Sequence, residues 1–120
     1  MPGTARSFIL FWKEAAVAWI YLLAAGILET LWAVAMKASN GFTLLIPSLI
    51  TVLAMIGSVA LLALAMKTLP LGTAYVVWTG IGAIGAFAAG VVIFSESLSL
   101  MRVTAAGFIV VGLIMMKVSA

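Results

Sequence analysis

Gly26-Ile27-Leu28-Glu29-Thr30-Leu31-Trp32 lies inside an apolar run over residues 15–36, in which Glu29 is the one charge and which Lys13 and Lys37 bracket. A bilayer core about 30 Å thick needs about 20 apolar residues per helix, so this run is long enough to span. Three further runs follow. Residues 42–66 carry no charge, and Pro47 lies near their start, where a missing N–H costs least. Residues 71–94 are again uncharged and follow Lys67-Thr68-Leu69-Pro70. The last run, residues 103–116 between Arg102 and Lys117, is only about 21 Å long at helical rise. Leu98, Leu100 and Met101 extend it, with Arg102 reaching back to the surface. Ala38-Ser39-Asn40-Gly41 and Ser95-Glu96-Ser97 read as turns between spans.

Composition agrees with an all-α membrane protein of four transmembrane helices. The 120 residues are 67% hydrophobic and 8% charged, and mean hydropathy is +1.39. Soluble domains run at about 45–50% apolar and about 25% charged, and a fold this small cannot hide such an excess. The six Lys and Arg are scattered singly, which argues against nucleic-acid binding. Without Cys or His, disulfides, thiolate or imidazole metal sites and Ser-His catalysis are excluded. No cofactor, metal or enzymatic activity is expected. The expected location is the cell inner membrane, multi-pass, with any function held between helices.

Glu29 is the residue to explain, because a charge in mid-membrane costs about 2.5–3.5 kcal/mol on insertion scales. One reading is a protonated glutamate bonded to a neighbouring helix. The other is a proton or cation site. On its helix face stand Ala25, Gly26, Trp32 and Ala33. Three are small enough for a helix or ligand to come close, and the indole donates a hydrogen bond or stacks on a flat cation.

Tyr75, Trp78, Thr79 and Gly82 follow the i, i+3, i+4, i+7 pattern in the third span. Gly82, Ala86 and Gly90 continue it as a ridge suited to close helix packing. Gly80, Gly82 and Gly85 weaken that helix and would form a hinge; Tyr75 and Trp78 also read as an interfacial belt. In the second span Ser58 lies near the centre, placed to orient a carboxylate or to bond its own i−4 carbonyl.

Over residues 17–117 these features together resemble the small multidrug resistance family of bacterial exporters. The markers are the glutamate followed by Trp32, Ser39-Asn40-Gly41-Phe42-Thr43, Ile46-Pro47-Ser48, and Lys67-Thr68-Leu69-Pro70-Leu71-Gly72-Thr73-Ala74-Tyr75 running into Trp78-Thr79-Gly80-Ile81-Gly82. The last stretch is similar to the guanidinium-exporter branch. The resemblance implies an antiparallel homodimer with one substrate site between two copies of Glu29, and proton-coupled antiport by alternating access. It implies that Glu29 binds proton and substrate in turn, that Trp32, Ser58 and Tyr75 support its carboxylate, and that Trp78 lines the site. The substrate would be guanidinium or a small guanidinyl cation, whose N–H fork matches a carboxylate. The rivals are a broad exporter of quaternary ammonium compounds using the aromatic faces, and a non-transporting membrane subunit.

Residues 1–16 read as an N-terminal extension ahead of the transporter domain, residues 17–120, with a non-native or misassigned start; a cleaved signal peptide is the alternative. Val17-Ala18-Trp19 stands where family members begin with Met. Lys67 and Lys117 fall on the N-terminal side of the membrane, and Lys37 and Arg102 on the other. The four-span body therefore has no cation bias, and only Arg6 and Lys13 create one. A chain starting at Val17 is expected to insert in both orientations.

Overall fold

In the computed structural model, residues 5–119 are described. They form four helices, each long and apolar enough to cross a membrane. These are α1 (Ala5–Ala38), α2 (Leu45–Ala65), α3 (Leu71–Phe94) and α4 (Leu100–Ser119). Helices are the only open-ended solution here, since hydrocarbon offers no partner to a bare N–H or C=O. The third span falls where its apolar run places it. The first begins at Ala5, ten residues before the run that defines it, because nothing from Arg6 to Glu14 breaks a helix; residues 1–4 of the expected extension lie outside the described residues. The fourth extends to Leu100 and Ser119 beyond residues 103–116, which gives it a full membrane length.

The second span starts at Leu45 rather than at residue 42, and the turn before it explains why. Asn40, Gly41 and Phe42 have φ of 49°, 68° and 66°. Glycine and asparagine enter this left-handed region readily, whereas a bulky residue needs outside support. Ser39, fully buried, supplies it: its Oγ donates to Met36 O at 2.6 Å and accepts from Phe42 N at 3.0 Å. The turn spends three residues and α2 begins after it. Pro47 then falls in the first turn of α2, where no intrahelical partner is lost.

α1 packs against both α2 and α3, while α4 packs mainly against α3 and reaches α1 where Lys117 Nζ lies 4.6 Å from the centre of the Trp19 ring. The core is built from Ala18, Leu22 and Ala25 of α1, Leu62 and Ala65 of α2, and Ala74 and Val77 of α3. Small residues dominate because lipid supplies no hydrophobic drive between helices, so contact requires close approach. α4 has no buried residue. The molecule measures 55 × 36 × 19 Å; the short dimension is two helix diameters at about 10 Å each.

Candidate functional site

The seam between α1 and α3 is cut by glycines at alternating levels. The Ile81 side chain fills the space a Cβ on Gly26 would need. One turn further, the Glu29 carboxyl lies where Gly82 would carry its Cβ, and the Thr30 hydroxyl does the same at Gly85. Knobs from each helix thus enter notches on the other. Glu29 is therefore directed at the backbone of α3, and Thr30 Oγ1 turns back to Gly26 O at 3.2 Å. At this level Glu29 Oε2 and Trp32 Nε1 are both buried without a hydrogen-bond partner. An acceptor and a donor on one helix face, three residues apart, are left unsatisfied where water is scarce. Such atoms are uncommon in native structures, and each calls for an explanation.

Ser58 lies at a second junction. Buried, it donates to Ala25 O of α1 at 2.6 Å, and Trp78 Nε1 of α3 donates to it at 2.9 Å. The Trp78 ring meets Tyr75 at 5.4 Å between centroids and 55° between planes. One hydroxyl therefore joins three helices. In this structure Ser58 bonds neither the Glu29 carboxylate nor its own i−4 carbonyl, because α1 brings the Ala25 carbonyl nearer. Trp32, likewise expected to support Glu29, makes no bond through its indole nitrogen.

The stripe of Tyr75, Trp78, Thr79 and Gly82 splits in two. Trp78 and Gly82 turn toward α1 and α2. Tyr75 and Thr79 instead line a groove of about 620 Å³ against Ile109, Gly112 and Leu113 of α4, with no charged residue on its walls. α3 runs unbroken through Gly80, Gly82 and Gly85; here these glycines act as contact points, Gly80 against Leu113 of α4. Ala86 and Gly90 continue the α1–α3 seam toward the membrane surface, where a cavity of about 390 Å³ is lined also by Ala33, Lys37, Glu96 and Arg102. Periodicity had pointed to neither Thr30 nor this charged mouth. Thr30 is visible only as the neighbour of Glu29, and Glu96 and Arg102 meet across a loop, where helical spacing carries no signal.

Known proteins agree with this architecture. Residues 17–111 match the family described as Small Multidrug Resistance protein. The chain is 54% identical over 104 residues to a guanidinium exporter of Salmonella typhimurium, covering 87% of this chain and 99% of that protein. It is 53% identical over 103 residues to a guanidinium exporter of Citrobacter freundii, at 86% and 98% coverage. To one of Yersinia pseudotuberculosis it is 53% identical over 104 residues, at 87% and 100%. Identity at this level, sustained over nearly the whole length of each relative, exceeds what shared hydrophobicity produces: the chain belongs to the small multidrug resistance family and is a multi-pass membrane protein.

Proposed function

We propose that the chain exports guanidinium and small guanidinyl cations across the inner membrane in exchange for protons. Two antiparallel copies share one site between their Glu29 residues. The observation that carries this reading is the buried, unpartnered carboxyl oxygen of Glu29 beside the unpartnered indole N–H of Trp32. An acid kept in hydrocarbon without a fixed partner is available to a mobile one. A neutral carboxyl is cheaper there than a charged one, so the empty site holds protons that an arriving cation displaces. Access that switches only when the site is filled then ties export of the cation to proton entry. A guanidinium ion presents paired N–H donors along each of its three edges, so two facing carboxylates hold it bidentately on two of them. Trp32 lines the site, the Ser58, Trp78 and Tyr75 cluster braces the helices behind it, and the relatives named guanidinium exporters support the choice of substrate.

The test is proton-driven uptake in liposomes across guanidinium, substituted guanidines and tetraalkylammonium ions. Guanidinium uptake with stoichiometric proton release is the expected result. The adjoining, tilted Tyr75 and Trp78 rings favour the second reading, a quaternary ammonium exporter. Tight tetraalkylammonium binding with no guanidinium transport would establish it instead. Dual orientation is tested separately, with C-terminal reporters on the full chain and on a chain starting at Val17. The shorter form is expected to report both orientations and the longer form mostly a cytoplasmic N-terminus.

A further inference from the structure

The α1–α3 seam continues from Glu29 to a charged mouth. Ala33 stands one helical turn beyond Glu29 on α1, and Ala86 one turn beyond Gly82 on α3. Both are small, and both line the cavity of about 390 Å³ that ends at Lys37, Glu96 and Arg102. At that end the Arg102 guanidinium is held on several sides. Its Nη1 donates to Ser97 O at 2.5 Å and to Ser97 Oγ at 3.2 Å. Its Nη2 lies 3.8 Å from Glu96 Oε1. Its central carbon sits 5.4 Å from the centre of the Phe87 ring.

A carboxylate, a carbonyl, a hydroxyl and an aromatic face are the kinds of partner that a planar N–H-bearing cation takes. We propose that Glu96, Ser97 and Phe87 form a second, outer guanidinium site, filled in this state by the chain's own Arg102. The proposal rests on the reading of the chain as a carrier of guanidinyl cations. In it, a substrate passing between water and Glu29 displaces Arg102 and occupies its partners in turn.

Two further features fit this role better than a structural clasp. Glu96 is fixed independently of Arg102: its N–H donates to Gly90 O at 3.0 Å, and its carboxyl packs where a Cβ on Gly90 would lie. The acceptor side therefore survives when Arg102 leaves. Arg102 itself stands in the first turn of α4, where the helix dipole disfavours a cation, and its ion pair, long at 3.8 Å, leaves the two side chains 41% and 43% exposed to solvent. Such a pair is weak and readily exchanged. Lys37 on the same mouth repels a resident cation, so occupancy is brief and affinity is expected to fall about tenfold or more below that at Glu29. Quaternary ammonium ions have no N–H for Ser97 and are poor competitors.

The experiment titrates the full chain in lipid bicelles with guanidinium chloride at sub-denaturing concentration, against sodium chloride of equal ionic strength. The signals followed are the Phe87 ring and the Ser97 amide. Wild type reports substrate binding, and Glu29→Gln silences the inner site. Adding Arg102→Ala to Glu29→Gln is expected to produce a saturable shift at Phe87 and Ser97 that Glu96→Gln abolishes and tetramethylammonium does not reproduce. Arg102→Met, which keeps the apolar stem, serves if Arg102→Ala does not fold. A wild type that binds guanidinium, paired with double variants that show no saturable shift, would overturn the outer site and leave the transport reading intact. A wild type blind to guanidinium would instead overturn the transport reading, while the double variants still decide the outer site.

Discussion

The junction at Ser58 and the seam at Glu29 both place polar atoms among apolar helices, and they treat them in opposite ways. At Ser58 the accounts are closed: the hydroxyl gives one bond to Ala25 O and takes one from Trp78 Nε1. At the seam, Glu29 Oε2 and Trp32 Nε1 are buried and unbonded, although α3 is close enough for glycines to be needed at Gly82 and Gly85. Where this fold needs a polar group for cohesion, it satisfies it. The difference separates a fastening, whose loss is expected to loosen the bundle, from the proposed site, whose loss is expected to remove function and leave the bundle standing.

The sharpest break in that comparison is Glu29→Gln. The amide keeps the shape but releases no proton and attracts no cation, so guanidinium transport and substrate-induced proton release are expected to vanish while thermal stability in detergent holds. Retained proton release would remove Glu29 from the mechanism. Next comes Gly82→Ala, whose new methyl overlaps the Glu29 carboxyl. The carboxyl must move, and misplacement on that scale costs about 10²-fold in turnover. Gly72→Ala, with nothing within 4 Å of the added atom, is its control and should transport normally.

Ser58→Ala strikes the fastening instead. It leaves the Trp78 N–H without its acceptor, and a loss of about 1–2 kcal/mol is expected in unfolding measurements. Transport should fall less than in Glu29→Gln. If stability were unchanged and transport abolished, Ser58 would belong to the site and the contrast would collapse. The smallest effect is expected from Trp32→Phe, which removes an N–H that bonds nothing in this state. Stability should hold within about 0.5 kcal/mol, while KM for guanidinium rises severalfold in uptake assays.

The architecture was legible in the chain itself. Apolar runs of membrane length leave a backbone no choice but helix, and α3 occupies the residues its run defined. The burial of the Glu29 carboxyl between helices was legible for the same reason: a charge in such a run is too costly to face open lipid. The turn at Ser39–Phe42 was legible from Asn40 and Gly41, but the buried Ser39 bond that allows Phe42 its φ of 66° was not.

Which face each helix turns to which neighbour was decided only in three dimensions. In a soluble helix, water sorts residues into two faces and the sequence records the sorting. In lipid the outside is as apolar as the core, so periodicity loses that record. This is why Tyr75 and Thr79 part from Trp78 and Gly82, why Ser58 finds the Ala25 carbonyl, and why Glu96 meets Arg102 across a loop. Charge and span length are properties of single segments, and the sequence determines them. Partnership among polar atoms depends on the rotation and crossing of whole helices, which close packing at glycines and alanines settles only when the helices come together.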